Sequence, residues 1–366
     1  VIAHRIAELA LTPGLVARDT GLTLQSLRLP DSACCQAYLG DPSDLVESPT
    51  PAQRLVYGER RRRVPELFDL DYPAMLGASQ PPAGYAQGVA AQRPFYFDHV
   101  TELSDRAFAE FADLTGRTYV RAGGLWLDDA DYLLVAQGSV VPIAEAVCER
   151  LRSTRRLRIG VLNITMFRPF PSDLIPRLLA GRKGVTVLER VDQPLAADPP
   201  LLRELRATLS KAVENGHARK SQPHPGITGC QPSDMPDFFA GCYGLGGRDV
   251  QAADLVAAVD NMTARTPGRR LFYLGVDFVR PGTRFPKQQV WQDQLIDAYP
   301  HVADLTLARG PALNLLPTGA VAVRFHGLPG WSLPIIGGVV FTALVVIFLT
   351  SSVWFFTDRP AGLPLF

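Results

Sequence analysis

Cysteine is scarce in this chain. Five residues, Cys34, Cys35, Cys148, Cys230 and Cys242, are spread over 366 positions, an odd number with no C-x-x-C pair. That spacing excludes a disulfide scaffold and argues against a zinc site or a ligated iron–sulfur cluster. A reduced, cytoplasmic interior suits it, with Cys148 a small apolar filler inside a helical pattern. Excess charge is missing too. The formal net charge is +1, so no global field draws nucleic acid or an acidic partner. The six histidines are scattered, with no pair at helical metal-ligand spacing, and no metal site is expected. No basic stretch precedes an apolar core at the start, which excludes a signal-peptide layout. The chain opens on Val1 rather than Met and already reads as helix through Ile2, Ile6 and Leu9. The expectation is a piece cut from a longer chain.

What is present is an ordinary globular composition, 47% apolar and 20% charged, long enough for two or three domains. The clearest pattern runs from Asp128 to Asp192. Tyr132-Leu133-Leu134-Val135-Ala136 is a short apolar run suited to a fully buried strand. Ser139 is placed to cap the helix that follows, whose apolar residues Ile143, Ala146, Val147 and Leu151 recur at helical spacing. Arg158-Ile159-Gly160-Val161-Leu162-Asn163-Ile164 is a second strand. Ser172 is placed to cap a second helix carrying Leu174, Ile175, Leu178 and Leu179, with Gly181 just past its end. Gly184-Val185-Thr186-Val187-Leu188-Glu189 is a third strand. Short loops between these elements imply an α/β fold with a parallel sheet and right-handed crossovers.

Residues 216–235 are rich in Pro, Gly, Ser and His and read as linker. A helix over 251–262 and a strand over 271–279 suggest a further α/β unit, and 320–325 looks like the opening strand of one more. The basic run 60–63 reads as a solvated, ion-paired face or a structural Arg cluster, with phosphate contact as the sharper alternative. From 327 to 357 there is no charge at all. Within it, 333–356 is long enough at about 1.5 Å per residue to cross roughly 30 Å of hydrocarbon, and Trp331 and Trp354 flank it. Hydropathy alone reads it as a C-terminal hydrophobic helix, either a single membrane span or a buried core helix.

Longer strings carry a family resemblance. Thr50-Pro51-Ala52-Gln53-Arg54, Arg61-Arg62-Arg63-Val64-Pro65-Glu66-Leu67-Phe68-Asp69-Leu70-Asp71-Tyr72-Pro73 and Tyr85-Ala86-Gln87-Gly88-Val89-Ala90-Ala91-Gln92-Arg93-Pro94 begin it. Val135-Ala136-Gln137-Gly138-Ser139, Thr165-Met166-Phe167-Arg168-Pro169-Phe170-Pro171 and Leu188-Glu189-Arg190-Val191-Asp192-Gln193-Pro194 are its strongest part. Tyr243-Gly244-Leu245-Gly246-Gly247-Arg248-Asp249 and Trp291-Gln292-Asp293-Gln294-Leu295 extend it. In this order they resemble the large pyruvate:ferredoxin (flavodoxin) oxidoreductases of the 2-oxoacid:ferredoxin oxidoreductase family.

The resemblance implies a parallel-sheet, transketolase C-like domain preceded by part of a thiamine-diphosphate-binding-fold domain. Residues 1–125 would be the late part of the pyrimidine-binding domain and 126–215 the transketolase C-like core domain II. Residues 216–319 would be a linker, and 320–330 the start of a gamma-type domain. It also implies oxidative decarboxylation of pyruvate to acetyl-CoA, with thiamine diphosphate, Mg²⁺ and iron–sulfur clusters in the full-length enzyme. The implied partners are the missing domains or subunits, ferredoxin or flavodoxin, CoA and a 2-oxoacid. No Gly-Asp-Gly followed by a distal Asn occurs, and no cluster cysteines, so this chain alone is expected to hold none of those cofactors and to be inactive. A membrane-anchored, non-catalytic remnant is the alternative if 333–356 spans a bilayer.

Five residues are candidate ligand contacts. Asn163, Thr165 and Arg168 follow the second strand, and ligands gather at the carboxyl ends of parallel strands. Arg168 has the planar fork that grips a carboxylate or phosphate. Glu189 and Asp192 end the third strand and have the look of an acid/base pair. The competing reading for all five is interdomain hydrogen bonding or salt bridging, with Arg190 and Arg168 as partners of the two acids. Gly244-Leu245-Gly246-Gly247 reads as a structural turn rather than a phosphate loop, because no clear strand and helix flank it.

Overall fold

In the computed structural model, the described residues are 1–19, 29–65, 81–266, 268–276 and 286–309. The expected strand 320–325, the gamma-type start at 320–330 and the hydrophobic helix at 333–356 lie outside them, as do 66–73 and 277–279. Among the described residues no helix is long and apolar enough to cross a membrane. All contacts reported below lie within one unit, Val1–Pro311.

The N-terminal part is helical. Helix α1 (Ile2–Ala10) turns its apolar stripe inward, and Leu9 and Ala10 are buried. Helix α2 (Ser32–Leu39) is capped by Asp31, whose side chain accepts the Cys34 N–H at 2.6 Å. Strands β1 (Leu45–Glu47) and β2 (Arg60–Arg62) pair antiparallel around α3 (Pro51–Tyr57), which Thr50 caps. Helices α4 (Pro82–Phe95) and α5 (Val100–Thr115) follow, and α5 stops at Gly116 in the left-handed region. Leu9, Ala10, Val100, Leu103 and Ala107 form the core here, with Ile2, Ile6 and Met166 packed against it.

One residue of the basic run 60–63 proves structural. Arg61 is 4% exposed. Its Nη2 donates to the Glu8 carbonyl at 2.8 Å, and its Nε to Gln53 Oε1 at 2.8 Å. Gln53 Nε2 in turn donates to the Leu9 carbonyl at 2.8 Å. These are last-turn carbonyls of α1, which have no partner inside the helix, so a buried cation and amide complete the helix end.

The sheet explains the rest. Its strands are β3 (Ala122–Leu125), β4 (Tyr132–Ala136), β5 (Ile159–Ile164), β6 (Gly184–Glu189), β7 (Asp237–Cys242) and β8 (Leu271–Tyr273), in the spatial order β3-β5-β4-β6-β7-β8. Strands β4 to β8 run parallel, and β3 alone is antiparallel, at one edge. Helices α6 (Val140–Arg155) and α9 (Ala252–Thr263) pack against each other, as do α7 (Ile175–Leu179) and α8 (Pro200–His217), and α10 (Pro286–Ala298) follows β8. Alternate strand residues separate into two sets. Leu133, Val135, Leu162, Ile164, Val185 and Val187 join Ile175, Leu179, Leu201 and Leu205 in one cluster. Thr186 points the other way, its hydroxyl 3.3 Å from Met262 Sδ on α9. Parallel strands covered on both faces need apolar residues along most of their length, and β4 and β5 supply them up to Asn163 near the end of β5.

Several expectations shift. The sheet does not end near 215, because β7 and β8 from the expected linker extend it on parallel registers. The segment after α8 folds back onto it, with Asn215 Nδ2 donating to the carbonyls of His224 and Ile227 at 2.8 and 2.7 Å. Turn-rich composition therefore marks a tight return, held by one buried amide. Ser172 does not cap α7, which starts at Ile175 because Pro176 suits only a first turn. Its hydroxyl lies 3.3 Å from Thr208 Oγ1 instead.

Leu162, on β5 between β3 and β4, is fully buried. Leu162→Ala is expected to lower unfolding stability by about 3 kcal/mol, read as a shift of the urea midpoint with unchanged slope.

Candidate functional site

Renumbered along the parallel strands alone, β5-β4-β6-β7-β8 is a 2-1-3-4-5 order. The first crossover leaves β4 on one side and later ones continue on the other, so the strand order reverses between β4 and β6. Open sheets of this class bind ligands at the carboxyl ends of the strands on either side of that reversal. The loops there are 137–139 after β4, 165–174 after β5, 190–199 after β6 and 243–251 after β7.

The five candidate residues all sit at this edge, but the chain uses most of them itself. Asn163 Nδ2 lies 3.4 Å from Thr165 Oγ1, and this exposed pair stands at the end of β5. Arg168 donates from Nη2 to Glu204 Oε1 on α8 at 2.7 Å and stacks 4.3 Å above the Phe167 ring. Glu189 meets neither Arg190 nor Arg168 in a salt bridge. Its carboxylate accepts the backbone N–H groups of Leu201 and Leu202 at 2.7 and 3.0 Å, closing the start of α8. Burial pushes this carboxyl up, while the two amides pull it back. Asp192 accepts the Tyr273 hydroxyl at 2.8 Å from β8. Burial, with Asp192 behind it, pushes that phenol up to about 12. Asn163 and Thr165 are thus brought together, while Arg168 and Glu189 are both drawn to α8 and Asp192 to β8.

Two arrangements here have no local signal in the sequence. The first is at the strand reversal. Asp19 Oδ2 accepts both the Ser139 N–H, at 3.0 Å, and the Ser139 hydroxyl, at 2.8 Å. Ser139 therefore turns its hydroxyl to Asp19 rather than back onto α6, and no side-chain cap bond forms. Asp19 Oδ1 lies 4.0 Å from Arg190 Nη1. The second is Arg121, 4% exposed, which binds two carboxylates with paired contacts. Nε and Nη2 meet Asp105 at 2.7 and 3.0 Å, and Nη1 and Nη2 meet Asp173 at 2.8 and 2.7 Å. The guanidinium bridges α5 to the loop after β5, and its hydrogen bonds hold the Asp173 carboxyl below the usual carboxylate range.

The Gly244 loop also differs from expectation, since it joins β7 to α9. Its glycines at 244, 246 and 247 have positive φ, and α9 opens with a Gln251–Asp254 capping box. The strand was missed because β7 contains Gly241 and is entered from a turn. Among the described residues no group of three or more His, Cys, Asp and Glu is placed to hold a metal ion. The five cysteines are free, and burial pushes the Cys242 thiol at this edge up to about 12, so it stays protonated at neutral pH.

Fold and edge together define a doubly wound α/β domain. Residues 130–229 match the model for pyruvate:ferredoxin oxidoreductase core domain II, and residues 316–362 match a family of unknown function, DUF6529. A probable pyruvate-flavodoxin oxidoreductase of Escherichia coli is 27% identical over 210 residues, covering 56% of this chain. The pyruvate synthase subunit PorA of Thermotoga maritima is 28% identical over 177 residues, 46% of this chain and 40% of its own length. The ketoisovalerate oxidoreductase subunit VorA of Pyrococcus abyssi is 22% identical over 269 residues, 72% of this chain and 57% of its own. Core domain II and these relatives make the chain similar to a part of the 2-oxoacid:ferredoxin oxidoreductases. The chain spans only 16% of the length of the E. coli relative.

Two outcomes follow from this geometry. Glu189→Gln turns an amide N–H₂ toward one of the two α8 donors, and the expected cost is about 1–2 kcal/mol in denaturant unfolding. Asp173 has a depressed folded pKa, so its contribution is present above the ordinary aspartate value of about 3.9 and is lost as pH falls through the lower folded value. Asp173→Asn is expected to flatten the acid side of a stability–pH profile measured from about pH 5 to about pH 2.

Proposed function

We propose that this chain is a positioning part of an enzyme that oxidatively decarboxylates pyruvate, or a related 2-oxoacid, to its CoA thioester. The electrons would pass to ferredoxin or flavodoxin. The observation that carries the reading is the match of residues 130–229 to core domain II, which begins just before β4 and runs to the return after α8. In this reading residues 1–125 are the late part of a pyrimidine-binding domain and 126–215 a transketolase C-like domain. Residues 216–319 connect onward and complete the sheet, and 320–330 open a gamma-type domain.

Thiamine diphosphate, Mg²⁺ and iron–sulfur clusters supply the carbanion and electron-transfer chemistry of such an enzyme. The described residues do not fit them. Carboxylates at the candidate edge are committed to α8, Tyr273 and Arg121, and its thiol at Cys242 is protonated. Those groups would be held by other domains or subunits, which are this chain's partners, in the cytoplasm, together with CoA and the 2-oxoacid.

The contribution of these residues is to position. Arg121 fixes α5 against the loop after β5, and Met166 from that loop packs into the N-terminal core. Asn163 and Thr165 are the exposed pair left at the end of β5, facing an adjoining domain or the ligand it holds. Calorimetric titration of the whole chain with thiamine diphosphate and Mg²⁺ is expected to show no binding, and pyruvate should not drive reduction of a viologen dye. Micromolar, Mg²⁺-dependent binding or pyruvate-dependent dye reduction would overturn the assignment of those sites to other parts.

A further inference from the structure

One buried amide holds the return after α8, and the residue that follows it makes that amide chemically perishable. Asn215 is 5% exposed. Besides the two bonds its Nδ2 donates to the carbonyls of His224 and Ile227, its Oδ1 accepts the His224 N–H at 3.0 Å. Both ends of the side chain are therefore committed to the segment 224–227. The same return sends the Cys230 N–H to the Ala212 carbonyl at 3.0 Å and packs Ile227 and Cys230 against Ala212.

Gly216 comes next because nothing larger fits. A Cβ there would stand 2.0 Å from the Cys230 carbonyl oxygen, and a Cβ on Gly229 would stand 2.9 Å from the Gly216 nitrogen. Two backbones cross here with no room for a side chain. Packing thus requires glycine at 216, and the latch requires an amide at 215, since it needs donors and an acceptor on one short side chain. The two demands together create an Asn-Gly pair, in which no side chain hinders attack of the second residue's nitrogen on the first residue's amide.

We propose that Asn215 is a deamidation site, and that the reaction irreversibly unlatches the return. The Gly216 nitrogen gives its proton to solvent and attacks Asn215 Cγ. The new C–N bond closes a cyclic imide, the Cγ–Nδ2 bond breaks, and ammonia leaves with a proton taken back from solvent. Water then opens the imide to aspartate or isoaspartate, with no change of oxidation state. An ionised carboxylate has no donor, so the carbonyls of His224 and Ile227 lose their partner and face a negative charge instead. In the closed return Asn215 lies within α8, and its helical backbone and three side-chain bonds oppose the attack. The reaction therefore runs from locally opened molecules, and each one that reacts cannot remake the latch. The proposal stands on this geometry and is independent of the 2-oxoacid reading.

The test incubates the whole chain at neutral pH and follows the tryptic peptide 212–219 by mass spectrometry, in native buffer and in urea. The native chain is expected to accumulate the acid form at least about tenfold more slowly than the unfolded chain, because only opened molecules react. Equal rates, or no acid form in the native chain, would overturn the gated site. Hydrogen exchange reads the consequence. Asn215→Asp should raise exchange across 218–230 while β4 stays as protected as in wild type. Unchanged exchange across 218–230 would overturn the unlatching, and loss of protection in β4 as well would overturn a local latch. If Asn215→Asp does not fold, the aged wild-type chain, separated by its added charge, gives the same readout.

Discussion

Burial of both faces of a parallel sheet is the constraint on which the rest of this molecule depends. No strand between β5 and β7 has a solvent face for polar residues, so helices must cover both sides, α6 and α9 on one and α7 and α8 on the other, and the parallel strands all end at one edge. Polar groups then gather at the strand ends, ion-paired at the amino ends through Asp131, Arg158 and Lys183 and more varied at the carboxyl edge. Glu189, Asp192, Asn163, Arg190 and Ser139 are there because the fold leaves them nowhere else, and most of them satisfy chain ends and loops. A carboxylate at a strand end is a helix cap before it is a catalyst.

The N-terminal helices meet the sheet through charge as well as packing. Arg121 is nearly buried, and leaving such a guanidinium unpaired would cost far more than its two carboxylates contribute. Their value lies in geometry: bidentate contacts fix the angle between α5 and the loop after β5. Arg61 plays a similar part at the end of α1. Both are cations spent inside the structure, consistent with a chain whose net charge is close to zero.

Much of the sheet was legible because its signals are local. The apolar runs at 132–136, 159–164 and 184–189 and the short loops between them specify parallel strands without reference to anything distant. Strand β7 was missed, and β8, read as a strand from Leu271, was assigned to a further unit rather than to this sheet. One carries a glycine and is entered from a turn, the other is three residues long, and both rely on neighbours already in place. At the site, sequence could place residues at strand ends but could not show where their side chains would go. Glu189 was read toward arginines and found two amides, and Asp19 carried no motif at all. Long-range partners such as Asp19 with Ser139 leave no periodicity to read.

Hydrogen exchange of the whole chain, followed by mass spectrometry with and without thiamine diphosphate, Mg²⁺ and pyruvate, tests the central claim most directly. If this is a positioning domain whose carboxyl edge is occupied by its own groups, exchange in loops 137–139, 165–174, 190–199 and 243–251 stays unchanged on addition. Protection of those loops that depends on thiamine diphosphate would contradict the account and place cofactor chemistry on this chain.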